Sequence, residues 1–375
     1  MLAREQKVMG IIFANMHDIA LSDITKNRTM ASVPFGGRYR LIDFPLSNLV
    51  NANIFNIGLI TKANYQSLMD HVGSGREWDL SRKTSGLHIL PPYGNKNYGI
   101  YRGKLEALGS ALDYLAGSHE KYVVLSDCEI VSNIDLTPFI EQHQESDADI
   151  TIMYSSGYLD RQAAQDSIIL NFDDTGRLIE TMCNPDISGE FNYSLNIMIM
   201  EREFLMHIVT EAVSKGEFSF DRDILQKRNK NYKICGYRYD GLVRKIASIK
   251  AYYQANIDLL NESVRDQLFT KERLIYTKIR DEAPVRYGLQ AHVKNSFIAD
   301  GCIIEGEVEN SIVFRGCKIK KGAVVKNCVL MQGTVIGEKA EVQYTITDKN
   351  VTISDFRTMI SASTYPAYIA KGTTI

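Results

Sequence analysis

Hydrophobic and polar positions change rhythm along this chain, and the changes divide it. Residues 8–14 (VMGIIFA) form an unbroken apolar run, the pattern of a parallel strand buried on both faces. A turn and a long loop follow, then a Pro34-Phe35-Gly36-Gly37 turn and an amphipathic segment at 40–50. Residues 56–61 (NIGLIT) are a second apolar run, and 64–71 carry helical spacing. In residues 101–115, Leu105, Leu108, Leu112 and Leu115 share one face of a helix. Residues 121–126 (KYVVLS) predict a strand that ends at Asp127, 136–144 a helix, and 149–154 a further strand. This alternation predicts an α/β domain with a mostly parallel sheet flanked by helices. Residues 167–200 differ, with three short strand patterns: SIILNF, GRLIETM and YSLNIMIM. The Asp173-Asp174-Thr175-Gly176 turn makes the first two a hairpin. Segments 201–214, 220–227 and 250–260 read as helices, the last of which closes a domain over 1–260.

Residues 261–290 hold no period and read as a connector. From Ala291 short β-branched runs recur between Gly, Asn and Asp. One column, Ile312, Lys318, Val324, Leu330, Ile336 and Val342, repeats every six residues, with Ile319 taking the apolar role beside Lys318. A sandwich would alternate with period two. Period six predicts that 291–375 form a left-handed parallel β-helix with three hexads per turn, whose coils stack and need capping.

Composition narrows the function classes. A length of 375 residues suits two or three domains, and 45% hydrophobic with 23% charged residues is ordinary for a soluble protein. A net charge of −2 gives no electrostatic case for nucleic acid or an anionic membrane. No apolar run approaches the ~20 residues of a membrane span, and MLAREQKVMG lacks the apolar core of a secretory signal. The expected location is the cytoplasm. The six cysteines (Cys128, Cys183, Cys235, Cys302, Cys317 and Cys328) form no Cys-x-x-Cys pair, which predicts reduced, packed thiols. The histidines are as scattered, so no zinc site is expected.

Several motifs in order resemble the ADP-glucose pyrophosphorylase family. They are VPFGGRYRLIDFPLSN (33–48), GSGREWDL (73–80), ILPPY (89–93), YRGKLEAL (101–108), VVLSDCEIVSNID (123–135), SIKAYYQANIDLL (248–260) and the repeats from 299 to 337. The resemblance implies a Rossmann-like nucleotidyltransferase domain with a mixed, mostly parallel sheet, followed by the β-helix. It also implies a reaction joining ATP and glucose 1-phosphate into ADP-glucose and pyrophosphate. Such transfer needs backbone N–H groups around the triphosphate, cations on the departing pyrophosphate, and carboxylates for Mg²⁺.

The chain departs from the family where that chemistry is done. The family's Ala-Gly-Gly-x-Gly-Thr-Arg-Leu loop is here Ala14-Asn15-Met16-His17-Asp18-Ile19-Ala20-Leu21. Side chains at Asn15, Met16 and Asp18 block close backbone approach. Asp18 adds a negative charge where phosphate belongs, and like charges at ~4 Å repel by several kcal/mol in a partly screened site. Gly36 and Gly37 are the glycines that remain near this loop. The catalytic Arg becomes Ala20, a loss of ~10²–10³ in rate for one such donor. The lysine of Arg-Ala-Lys-Pro becomes Met30, for which Lys26 is an alternative cation. Asp127 is the surviving metal ligand. The second, read from Asp-Val-Gly-Thr-Ile against Lys245-Ile246-Ala247-Ser248-Ile249, becomes Lys245, which predicts a salt bridge with Asp127 in place of Mg²⁺. The sugar-phosphate clamp Glu-Lys-Pro becomes Cys183-Asn184-Pro185. Ser194 persists, but the glycine near it is Asn196. Lys104, Leu105 and Glu106 also depart from the family's Thr-Ala-Asp.

Losses at five separated motifs predict a site with no intact catalytic residue, no metal and no cofactor. The resemblance is closest to the non-catalytic GlgD-type subunits. It implies a heterotetramer with a catalytic GlgC-type paralogue whose activity this chain raises in bacterial glycogen synthesis. A degenerate pocket leaves room for a small-molecule effector, a sugar phosphate or a nucleotide. Two alternatives stay open: an active ADP-glucose-forming transferase with rearranged ligands, and a hexapeptide-repeat acyltransferase, for which His292 is the sole candidate base in the repeats.

Overall fold

A computed structural model describes residues 7–16, 18–92 and 101–375. The stretches that carry His17 and Tyr93 therefore lie outside the described residues. Strand Val8–Phe13 is the centre of a nine-stranded sheet. It pairs in parallel with Asn56–Ile60 on one side and Tyr122–Asp127 on the other. Gly86–Leu90 extends the parallel part beyond Asn56–Ile60. It lies at the sheet's edge, mostly half-buried, and no continuous buried run marks it in the sequence. The long strand Gly189–Glu201 runs antiparallel to Tyr122–Asp127 and to Ile150–Leu159, so the sheet is mixed. The hairpin Ile168–Phe172 and Leu178–Cys183 forms around Asp173, whose Oδ1 accepts the N–H groups of Thr175 and Arg177.

Helices cover both faces of this sheet. Helix Lys104–Ser110 and the turn Leu112–Ala116 bury Leu105, Leu108 and Leu115 with Met9, Ile11 and Leu125. The expected single helix over 101–115 is thus two, broken at Ala111. On the other face Ile12, Leu46, Leu59 and Phe139 pack together. None of the described helices is long and apolar enough to cross a membrane.

The connector is not featureless. It holds helix Glu262–Leu268 and strand Arg286–Tyr287, which pairs with Ile303–Ile304 and so belongs to the first coil. The β-helix consists of three parallel five-stranded sheets. Its coils are shorter than three full hexads. Ile303 pairs with Lys318, 15 residues on, and Lys318 with Val335, 17 residues on. One side of the triangle is therefore contracted, and a strict six-residue column drifts out of phase. Val313, Ile319, Val325, Leu330, Ile336 and Val342 form the true interior. Lys318 is exposed and Val324 half-buried. Ile312 is buried on the outside of the coil, against the α/β domain.

That outer face fixes the two domains together. Ile312, Phe314, Val329, Met331 and Ile346 pack with Met30, Phe35 and Tyr252. Arg28 donates from Nη2 to both oxygens of Asp348 at 2.7 and 2.9 Å, a buried ion pair across the junction in which one nitrogen serves both oxygens. Tyr368 adds a third hydrogen bond to Asp348, at 2.8 Å. All six cysteines are free, four of them buried.

Candidate functional site

The parallel strands end where an α/β sheet normally receives a ligand. The loop after Phe13 closes there on its own side chains. Asn15 Oδ1 accepts the N–H of Lys62 at 3.0 Å, and Asn15 Nδ2 donates to the Ala63 carbonyl and to Asp18 Oδ2, the latter at 2.6 Å. Asp18 Oδ1 accepts the N–H of Met30 at 2.8 Å. A carboxylate thus holds a backbone donor. Met16 packs against the core beneath helix Lys104–Ser110, while Met30 lies in the other core at the domain junction. The two methionines do not fill one common pocket. Ala20 sits in the turn Asp18–Leu21.

Gly36 and Gly37 are elsewhere. Both have positive φ, 58° and 85°, in the tight turn between Pro34–Phe35 and Tyr39–Arg40. Gly36 N–H donates to Asn256 Oδ1 at 2.9 Å, and a Cβ on Gly36 would come within 2.9 Å of Leu259. They shape the domain junction and are no remnant of the nucleotide loop.

Asp127 is buried at the end of its strand, and the cation beside it is Lys104. Its Nζ is 2.9 Å from Asp127 Oδ2, 3.9 Å from Asp221 Oδ1, and 3.2 Å from Asn196 Oδ1. Asn196 reaches this point because the strand carries a bulge between Ser194 and Ile197 and Asn196 adopts φ 55°. Ser194 Oγ accepts its N–H at 3.0 Å, and Asn196 Nδ2 donates to Glu129. Lys245 faces Glu129, at 3.7 Å, and donates to Ser167 Oγ at 3.1 Å. The lysine on Asp127 is therefore Lys104, and Lys245 serves a neighbouring acid. Burial pulls the Lys104 pKa down, but Asp127, Asp221 and Glu129 outweigh it and hold it above the usual lysine value.

The sugar-clamp positions are partly dispersed. Cys183 packs on the core beside Asp221, and burial with that charge pushes its thiol up to about 11. Asn184, at φ 57°, donates from Nδ2 to the Gln165 carbonyl at 2.7 Å, which ties down a surface turn. The residues that sequence reasoning passed over are Glu129, Asp221 and the role of Lys104. The available signal was charge reversal, with lysines at two motif positions where the family carries a neutral or acidic residue.

A divalent metal does not fit this arrangement. The ammonium of Lys104 already lies against Asp127, and the second acid of the family pattern is Lys245. No cluster of three His, Cys, Asp or Glu side chains suited to a metal occurs among the described residues.

A second site lies between the domains. Arg38, Arg40, Lys278, Arg280, Arg315 and Lys349 line one cavity, with His71 and Tyr39. Burial lowers Arg40 to about 10, and burial with Arg40 and Arg28 lowers Lys349 to about 7. His71 is depressed by burial although it bonds Asp43 at 2.6 Å. Six cationic side chains around one cavity make it a candidate site for an anion.

A family model described as Nucleotidyl transferase matches residues 20–254, and one described as GlmU-like, C-terminal hexapeptide matches 283–360. The chain is 34% identical over 367 residues to the glycogen biosynthesis protein GlgD of Bacillus subtilis, covering 98% of this chain and 96% of that protein. It is 31% identical over 339 residues to a glucose-1-phosphate adenylyltransferase of Clostridium perfringens, covering 89% and 86%. A Bacillus cereus glucose-1-phosphate adenylyltransferase is 29% identical, over 94% and 95%.

Proposed function

Because the chain belongs to the ADP-glucose pyrophosphorylase family, we propose that it is a non-catalytic, regulatory subunit of bacterial glycogen synthesis. In this role it assembles with a catalytic GlgC-type paralogue in the cytoplasm, as a heterotetramer. It raises the partner's conversion of ATP and glucose 1-phosphate to ADP-glucose and pyrophosphate. Its relatives named GlgD support the glycogen role.

The observation that carries the reading is the closed loop after the first strand. Asp18 presents a carboxylate to the N–H of Met30, and Asn15 occupies the neighbouring donors and acceptors. Triphosphate would have to displace these bonds and meet a like charge. Ala20 and Met30 supply no cation to offset it. Two losses in one site are not additive, but each removes a cation that the family's transfer step uses.

Activation then has to pass through the assembly. A coupling free energy of ~1–3 kcal/mol would change the partner's affinity for an effector or substrate by roughly 5–150-fold. The six cations of the interdomain cavity offer a seat for the phosphate group of a sugar-phosphate or nucleotide effector. The test is to assay the purified chain alone with ATP, glucose 1-phosphate and Mg²⁺, and then with the catalytic paralogue. The expected result is negligible ADP-glucose from the chain alone and a several-fold gain in the partner's kcat/KM. Substantial turnover by the chain alone would establish an active transferase with rearranged ligands.

A further inference from the structure

We propose that Lys104 is a built-in counter-ion, whose ammonium takes the place of a divalent cation on Asp127, and that removing it uncovers a Mg²⁺ or Mn²⁺ site. The inference stands apart from the regulatory role, since a chain that activated no partner would still carry this cation.

The donor set around Nζ is one that suits a hard cation. Asp127 Oδ2 lies at 2.9 Å, the Asn196 side-chain oxygen at 3.2 Å and Asp221 Oδ1 at 3.9 Å. All three are oxygens. Mg²⁺ in proteins uses one or two carboxylates and keeps several waters, so two acids and an amide oxygen suffice. Asp221 Oδ1 makes no hydrogen bond among the described residues, and the ammonium is its charge partner.

The ammonium is also held in position by its backbone. Gly103 lies so close to the next segment that a Cβ there would be 2.3 Å from the Phe218 carbonyl oxygen. Leu105 N–H donates to that same oxygen at 3.0 Å. The start of helix Lys104–Ser110 is thus clamped to the segment that leads into Phe220–Gln226, which carries Asp221. Meanwhile the bulge at Ser194 to Ile197 delivers Asn196 from the sheet. Helix start, strand end, bulge and Asp221 converge on one nitrogen.

Burial makes some cation obligatory. The Lys104 side chain is 6% exposed and that of Asp127 1%. Ionised carboxylates this far from water need a charge partner. Together Lys104 and Lys245 supply two positive charges beside Asp127, Asp221 and Glu129, which is the charge that one divalent ion brings.

The test uses the full chain and metal alone. Thermal unfolding of the wild type is expected to be unchanged by MgCl₂, MnCl₂ or EDTA. Lys104→Gln is expected to unfold roughly 5–10 °C lower, as for a broken buried pair, and to recover several degrees with Mn²⁺. Electron paramagnetic resonance should then count about one bound Mn²⁺ per chain in this variant and none in the wild type. Adding Asp127→Asn to Lys104→Gln should restore most of the lost stability without metal and abolish the Mn²⁺ response. Wild type that binds Mn²⁺ as the variant does, or a variant blind to Mn²⁺, overturns the proposal. If Lys104→Gln does not fold, Asp127→Asn alone decides. A loss of similar size supports the pairing, and an unchanged midpoint rejects it.

Discussion

The strand-end site and the interdomain cavity share one supplying segment, residues 15–40, yet they treat charge in opposite ways. At the strand ends charges are met within the chain: Lys104 and Lys245 by the acids Asp127 and Glu129, and Asp18 by a hydrogen bond from the Met30 N–H. In the cavity the cations accumulate, and burial, with neighbouring cations, depresses Arg40 and Lys349. A site that satisfies itself has little left to offer a ligand. A site with an excess of like charges, only partly offset by Asp300, Asp43 and Asp348, gains by binding one of opposite sign. On the proposed reading, a small anion would bind at the junction, while the strand-end pocket is occupied by the chain's own side chains.

The connection between the two regions is the Arg28–Asp348 pair, and breaking it is expected to have the largest effect. Arg28 follows the closed loop, and Asp348 adjoins Lys349 of the cavity. Arg28→Met removes the cation bonded to the buried Asp348 carboxylate and leaves it with Tyr368, the Lys349 N–H and the charge of Lys349. The expected cost is about 3–5 kcal/mol, seen as a thermal midpoint lower by roughly 5–10 °C. An Asp348→Asn partner in the double variant should return part of that loss. Additive losses in the double variant would show that the pair is not what joins the domains.

Lys349 sharpens the contrast at intermediate size. Burial and the repulsion of Arg40 and Arg28 bring its pKa down to about 7, from an ordinary 10.5. The unfolded chain therefore binds the proton more readily than the native one between those values. Native stability falls as pH drops through this window, and below about 7 the full penalty is present. Lys349→Met should raise the thermal midpoint at neutral pH by a few degrees (~3 °C) and flatten the pH dependence above about 7. Inorganic phosphate should stabilise the wild type at neutral pH and lose much of that effect in the variant. Equal stabilisation of both proteins would remove Lys349 from the anion site.

What the sequence could show follows from how local each feature is. The first strand, the helix at Asp43–Asn51 and the Asp173 hairpin depend on residues close in sequence, and each was legible. The β-helix was legible as a period, but not which side of the coil each residue faces. Ile312 is apolar for a reason the repeat does not contain, namely the helix and loop packed outside it. Lys104 shows the same limit in the site. Its departure from the family pattern was visible, whereas its partners come from a strand end, a bulge and a distant helical turn. Lys245 was assigned to Asp127 because the family's two acids share a metal. The chain instead uses a second lysine, and only the geometry separates the two pairings.

The smallest expected effect tests the closed loop itself. Asp18→Gly removes a carboxylate that accepts the Met30 N–H, and it returns one of the family's glycines to its place. If the carboxylate were only a misplaced charge, its removal would stabilise the loop. The hydrogen bonds argue the reverse. Asn15 Nδ2 and the Met30 N–H both lose an acceptor, and a glycine adds freedom to the unfolded chain. The expected loss is about 1–2 kcal/mol, a midpoint lower by roughly 2–5 °C. No adenylyltransfer by the isolated chain should accompany it, because Ala20, Met30 and Lys245 remain. A more stable variant would mean that the loop is held open against repulsion, and the contrast between a self-satisfied site and a charged cavity would then fail at its first residue.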